Sequence, residues 1–329
     1  MRICIFGAGS VGGYLAGYLS RGGNDVSAIA RGTHLAAIRA NGLTVETPDD
    51  HFTVRIQATD TPGGLGTQDL VLVTVKAPAL PDIAAAIGPL LGPDTAVAFV
   101  MNGLPWWYFH AHGGAHEGRQ LPALDPNGAL WRAVDPSRAI GSIFWPACAV
   151  PAPGVVRLIT GAEGGTVFGE PSNATTPRLK DLAEAFRTSG LPVMLTNDIR
   201  ALIWRKLAYN LSAGPLCVLT ETAVLDTQTE AALTDASHQL VTEVIAIAAA
   251  MGVTLDLNLP AIARSNKALA HKPSILQDLL ASRPMEIEAL YGVPLELARM
   301  AGVKTPMLAV LTGLIKVKAR ARGLYRAAS

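Results

Sequence analysis

Lys206 and Asn210 stand four residues apart in Trp204-Arg205-Lys206-Leu207-Ala208-Tyr209-Asn210, beside the apolar positions Ile203, Leu207 and Leu211. On a helix this spacing puts the amine and the amide on one side. An amine flanking an apolar face loses water, its pKa falls, and it becomes suited to proton transfer. The same pattern also reads as a lysine snorkelling from a core face to solvent. Two more polar residues end apolar runs, Lys76 after Leu70–Val75 and Asn102 after Ala96–Met101. Ligands of open α/β sheets sit at the carboxyl ends of strands, although a strand-end residue can equally turn to solvent. Farther on, Ser274 follows Pro273, either as a helix N-cap or as a contact group. Glu286 and Glu288 are two apart and diverge on a helix, so at most one of them faces a common site.

A second kind of chemistry is written at the N-terminus, in Gly7-Ala8-Gly9-Ser10-Val11-Gly12. Three glycines at this spacing carry weight only between a strand and a helix, and both neighbours are present. Arg2–Phe6 is apolar, and Val11, Leu15 and Leu19 follow at helical spacing until Gly22-Gly23. Gly7 permits the tight turn, Gly9 lets a pyrophosphate approach the backbone, and Gly12 allows close helix–sheet packing. The helix amides and dipole then face the diphosphate. The segment predicts a nicotinamide-dinucleotide site. A second strand, Asp25–Ala30, ends at Arg31, where a binder of the unphosphorylated dinucleotide carries an acid for the ribose 2′-hydroxyl. A guanidinium grips a 2′-phosphate instead, so NADPH is expected as cofactor; an ordinary surface arginine is the other reading.

These groups need a scaffold, and the rest of the chain supplies its pattern. Asp69–Lys76 and Thr95–Asn102 are nearly continuous apolar runs separated by a helical stretch, Asp82–Leu91, which predicts a parallel sheet covered on both faces. Pro105–Arg138 is irregular and holds Trp106, Trp107 and Tyr108, which either line an apolar pocket or pack the insertion. Strand-like pieces at Ile140–Trp145, Val155–Thr160 and Thr166–Gly169, a helix at Thr176–Ser189 and a strand at Pro192–Leu195 complete a first domain. Beyond it the texture is helical: Ile203, Leu207 and Leu211; Leu240, Val244, Ile247 and Met251; and, after Thr305-Pro306, the stripe Met307, Val310, Leu314 and Val317. The expected class is α/β, an N-terminal Rossmann doubly wound parallel sheet over 1–197 and an all-helical C-terminal domain over 198–329.

Composition narrows the function classes. The 329 residues carry a net charge of +1, with half of them apolar and 16% charged, which disfavours a nucleic-acid partner. The basic positions Lys316, Lys318, Arg320, Arg322 and Arg326 read as the solvated end of a last helix, where cations suit the dipole. Cys4, Cys148 and Cys217 lack metal or redox spacing and read as buried hydrophobes of a reducing compartment. No apolar run reaches the ~18 residues of a membrane span, so a cytoplasmic protein with a small-molecule partner, no bound metal and no membrane is expected.

Taken in order, the N-terminal fingerprint with Arg31, Lys76, Asn102-Gly103, the Trp204–Asn210 segment and Lys272–Asp278 with Glu286 closely resemble the ketopantoate reductase (2-dehydropantoate 2-reductase) family over nearly the whole chain. The resemblance implies an active site between the two domains and NADPH-driven reduction of ketopantoate to pantoate, on the route to pantothenate. It makes Lys206 the general acid and Glu286 its catalytic carboxylate. Asn102, Asn210, Ser274 and Lys76 become substrate contacts, with Asn102 and Lys76 also touching the cofactor beside Gly7–Gly12 and Arg31. Three departures lie around the substrate: Gly214 replaces an asparagine of several members, His271 replaces another, and the aromatic 105–116 insertion follows Asn102. They leave open another keto acid as substrate, and a non-catalytic NADP(H)-binding module is the reading outside enzymes. Members occur as monomers and dimers, and a homodimer is compatible with the apolar helical part.

Overall fold

The computed structural model describes residues 1–325; Arg326, counted above with the basic tail, lies outside them. The chain forms two compact units, one of Met1–Met101 with Pro105–Ile199, the other of Asn102–Leu104 with the described residues from Arg200 on.

The first unit holds twelve strands among its described residues: β1 (Arg2–Phe6), β2 (Asp25–Ile29), β3 (Leu43–Glu46), β4 (His51–Val54), β5 (Gln57–Thr59), β6 (Gln68–Val73), β7 (Leu91–Phe99), β8 (Ala139–Phe144), β9 (Ala147–Ala152), β10 (Val155–Thr160), β11 (Thr166–Gly169) and β12 (Val193–Leu195). Its helices are α1 (Ser10–Arg21), α2 (Gly32–Asn41), α3 (Leu80–Ala86), α4 (Ala129–Val134) and α5 (Pro177–Thr188). Eight strands form one sheet in the order β12-β11-β8-β7-β6-β1-β2-β5. From β5 to β8 every pairing is parallel, as the continuous apolar runs predict, while β11 pairs antiparallel with β8. The chain leaves β1 to one side through β2 and returns to its other side through β6. The carboxyl end of β1 is therefore the point where strand order reverses, and an open sheet leaves a crevice there.

A second sheet, β4-β3-β10-β9, shows in the sequence pattern only at Val155–Thr160, because its other strands are short or largely exposed. It packs on the face of α1 turned away from the large sheet. A Cβ on Gly13 would lie 2.6 Å from Val156 Cγ1, and one on Gly17 would lie 2.3 Å from Val45 Cγ2. The glycines of α1 thus serve two sheets, which explains a helix so poor in good helix formers. The aromatic insertion resolves to packing. Trp106, Trp107, Tyr108 and Phe109 are all buried, and the Trp106 ring sits edge-on to Phe99 and Trp131 with centroids 5.5 and 6.0 Å away.

The second unit is helical among its described residues: α6 (Ile199–Thr220, whose first residue belongs to the first unit), α7 (Val224–Thr227), α8 (Ala231–Ala250), α9 (Leu259–Ala268), α10 (Ser274–Leu280), α11 (Val293–Ala301) and α12 (Pro306–Ala321). Ile203, Leu207 and Leu211 of α6 are buried, as are Leu240, Val244 and Ile247 of α8. The stripe assigned to the last helix needs correction. Val310, Leu314 and Val317 are exposed, and α12 buries Leu308, Leu311, Thr312 and Ile315. A helix apolar nearly all round presents two stripes of equal period, and only its neighbours choose between them.

The basic tail also differs from a solvated helix end. Lys318 Nζ donates to the carbonyls of Val218 and Leu219 at 2.8 and 3.0 Å and pairs with Glu221 at 3.0 Å. Arg322 reaches the same carboxylate at 2.6 Å, and Lys316 meets Glu288 at 2.7 Å. Lys318 and Arg322 thus fasten α12 to the end of α6, and Lys316 ties it to the turn Glu288–Gly292. No helix among the described residues is long and apolar enough to cross a membrane.

The start of α12 is capped from outside. Thr305 precedes Pro306 without a side-chain cap, and the buried carboxylate of Glu243 on α8 accepts from the amides of Met307 and Leu308 at 3.0 and 2.9 Å. A buried anion on helix N-terminal amides is a charge-assisted contact. Glu243→Ala is expected to cost about 1–3 kcal/mol by leaving those donors unmet, read as a lowered midpoint in urea denaturation with an unchanged slope.

Candidate active site

In the first unit the glycine turn is closed by backbone bonds. Gly7 and Ala8 donate their amides to the Ile29 carbonyl at 3.1 and 2.8 Å, and the Thr74 hydroxyl donates to the Gly7 carbonyl at 2.7 Å. Gly7 has φ +109, and a Cβ there would meet Val75 Cγ1 at 2.6 Å. A Cβ on Gly12 would stand 2.3 Å from the Gly7 carbonyl oxygen and 2.4 Å from Thr74 Oγ1, so α1 approaches as close as its backbone allows. Gly9 differs: it caps α1 without a side-chain hydrogen bond, and a Cβ there would meet nothing within 4 Å. Two glycines buttress the turn, and the third opens onto free space beside the helix N-terminus, where Ser10 and Val11 begin a first turn with no acid in it. That cradle fits a dinucleotide diphosphate. Arg31 follows β2 as an exposed side chain, and Lys76, also exposed, precedes the 3₁₀ turn Ala77–Ala79 beyond β6.

The second unit gathers the candidate proton-transfer residues. Lys206 and Asn210 lie four apart on α6 and are both half-buried. Burial lowers the Lys206 amine to about 8, and the Glu286 carboxylate opposes that fall. Glu286 is itself buried, directly ahead of a helical stretch that opens with a π-turn, Glu288–Gly292. Such turns are rare and recur at functional sites. Asn102 joins this group through Nδ2, which donates to Glu286 Oε2 at 3.4 Å. Its loop is held against the same turn: Leu104 donates its amide to the Ala289 carbonyl at 3.1 Å, and a Cβ on Gly103 would lie 2.3 Å from that oxygen.

Glu288 turns away from this group, to Lys316 and the Tyr325 hydroxyl, so of the two glutamates one is structural. Ser274 is the first residue of α10 and exposed; Pro273 holds the cap position, so the N-cap reading of this serine fails. His271 is exposed, and its carbonyl accepts the Val224 amide at 3.1 Å.

Two residues near these groups escaped the sequence reading. Tyr291 is buried, its hydroxyl has no hydrogen-bond partner, and a Cβ on Gly214 would sit 3.3 Å from that oxygen. Burial, then Cys217 and Glu286, push the phenol pKa far up, so it stays a neutral donor. The tyrosine side chain closes on the space that a larger residue at 214 would take, a relation invisible at a separation of 77 positions. The other is Asp82, which faces Arg31. The three thiols are free, and burial pushes each up to about 12, which keeps them protonated.

Known proteins resemble this chain along nearly its whole length. The family model described as ketopantoate reductase PanE/ApbA matches residues 3–106, and its C-terminal counterpart matches 198–319. A 2-dehydropantoate 2-reductase of Mesorhizobium japonicum is 39% identical over 327 residues, 99% of this chain and the whole of that one. Among solved structures, a provisionally assigned ketopantoate reductase from Ralstonia solanacearum MolK2 superposes with a TM-score of 0.92 at 36% identity, covering 98% of this chain and 99% of that one. A D-mandelate dehydrogenase, in a ternary structure with NADH and anilino(oxo)acetate, shares the fold at a TM-score of 0.80 and 21% identity, over 99% of this chain and all of that one. With a turn built for a dinucleotide and a full-length relative at this identity, the chain belongs to the ketopantoate reductase (PanE/ApbA) family of NAD(P)H-dependent oxidoreductases.

Proposed function

We propose that this protein reduces a 2-oxo acid to the 2-hydroxy acid with NADPH, and that ketopantoate is the substrate and pantoate the product. The observation that carries the reading is the convergence of the Lys206 amine, the Glu286 carboxylate and the Asn102 amide in one helical unit. When bound, the nicotinamide supplies the hydride. As the carbonyl carbon accepts it, negative charge grows on the carbonyl oxygen, and the Lys206 ammonium stabilises that charge and donates its proton. Glu286 keeps the lysine protonated near neutral pH and offers an acceptor for a substrate hydroxyl. Asn102 and Asn210 supply neutral amides, and Ser274 a hydroxyl, for the polar ends of an anionic substrate without adding repulsive charge. Arg31 supports the phosphorylated cofactor, since its guanidinium matches a 2′-phosphate bidentately.

Steady-state turnover of a panel of 2-oxo acids tests the reading. Ketopantoate is expected to give the highest kcat/KM, with NADPH preferred to NADH. Turnover of ketopantoate no better than that of pyruvate overturns the substrate, and the absence of turnover with every 2-oxo acid overturns the reaction.

A further inference from the structure

We infer that Asp82 sets how strictly the protein distinguishes a 2′-phosphorylated dinucleotide from an unphosphorylated one. The inference rests on the dinucleotide reading above. Strand β2 carries no acid at its end, which on sequence alone leaves Arg31 without a competing carboxylate at the ribose 2′ position. The fold brings an acid there from elsewhere. Asp82 lies in the first turn of α3, and its Oδ2 stands 3.4 Å from both Nη1 and Nη2 of Arg31. The neighbouring acid, Asp60, follows β5 and lies 4.0 Å from Arg39, so Asp82 is the carboxylate that meets Arg31.

The pair has little structural work to do. The side chains of Arg31 and Asp82 are 70% and 58% exposed, and exposed ion pairs add little to stability. Its position gives it meaning. Both guanidinium terminal nitrogens point at one carboxylate oxygen, and these are the two donors that a 2′-phosphate would take up. An arriving phosphate must therefore displace Asp82 and then remain beside a like charge. A ribose 2′-hydroxyl meets the opposite situation, because it is a donor and a carboxylate is the acceptor it needs. Arg31 favours the phosphate and Asp82 opposes it, so the ratio of the two affinities follows from a pair rather than from one residue.

The test uses two probes that differ only in the group at issue, adenosine 2′,5′-bisphosphate and adenosine 5′-monophosphate, titrated calorimetrically into the full-length protein at low salt. In Asp82→Asn the bisphosphate is expected to bind roughly two- to fivefold tighter, while the monophosphate binds equally or more weakly. The gain should shrink at high salt, because both charges are exposed. Asp82→Ser, which also lacks the charge, should behave alike. An unchanged or weakened bisphosphate affinity in both variants overturns the inference, since Asp82 would then only orient Arg31. If the unaltered protein binds NADP⁺ and NAD⁺ while the probe ratio stays constant across variants, the inference alone fails. If it binds neither dinucleotide, the dinucleotide reading fails and takes the inference with it.

Discussion

Lys206→Ala is expected to lower the turnover of ketopantoate by on the order of 10²–10⁴-fold, the range for a lost general acid, while NADPH affinity stays within a few fold. The expectation follows from where the amine sits. It lies on α6 in the second unit, whereas the glycine turn and Arg31 lie in the first, so the substitution removes the proposed proton donor and leaves the residues of the cradle unchanged. The pH profile adds a signature of its own. Burial places the amine at about 8, so below that pH it is an ammonium and can donate. The rate of reduction should be flat on the acid side of 8 and fall above it as the donor is lost. Oxidation of the hydroxy acid needs the neutral amine, so its rate should rise through the same pH. Lys206→Arg should not restore activity, because a guanidinium holds its proton throughout this range. An unaltered rate in Lys206→Ala, or an alkaline limb that survives it, removes Lys206 from the chemistry.

Glu286→Gln should produce the second largest effect, and it should appear as a shift as well as a loss. Two influences act on Lys206: burial, the larger, lowers its pKa, and the Glu286 carboxylate raises it. Neutralising the carboxylate while keeping its shape leaves burial unopposed. The lysine then loses its proton at lower pH, and the falling limb of the rate profile moves in the acid direction. At pH 8 the rate should fall about tenfold or more, because a smaller share of the enzyme carries the proton to donate. At lower pH part of the loss should be recovered. The buried side-chain amide can still meet the Asn102 amide through its oxygen, so the loop at Asn102–Leu104 should hold, which thermal unfolding would confirm. A uniform loss with no displacement of the limb would mean that Glu286 acts on the substrate and not through Lys206.

Much of this molecule can be read from its residue pattern, for a reason specific to parallel sheets. The segments Ile3–Phe6 of β1, Leu70–Val73 of β6 and Ala96–Phe99 of β7 are buried and appear as unbroken apolar runs. The glycine turn is equally legible because backbone sterics alone demand it. Of the second sheet only β10 is legible, since β4 and β9 carry no such run, and its packing on α1 is marked by a surplus of glycine at Gly13 and Gly17. The exposed face of α12 misleads, because a helix apolar on all sides has no preferred face until a neighbour is present. Among the chemical groups, Lys206 and Asn210 share a helix and so share a face. The approach of Glu286 to Asn102 spans 184 positions, and no local pattern encodes it.

The sequence by itself determined the cradle and the kind of chemistry: three glycines between a strand and a helix, an arginine where an acid would select the unphosphorylated cofactor, and a lysine set four residues from an asparagine. Each of these is a short-range fact, governed by backbone geometry and helix period. Tertiary structure decided what surrounds them. It buried Lys206 far enough to bring its amine to about 8, chose Glu286 over Glu288 as the carboxylate acting on that amine, and turned the hydroxyl of Tyr291 toward Gly214. It also set Asp82 against Arg31. Desolvation and charge–charge contact depend on which distant elements pack together, and packing is settled by the whole chain at once.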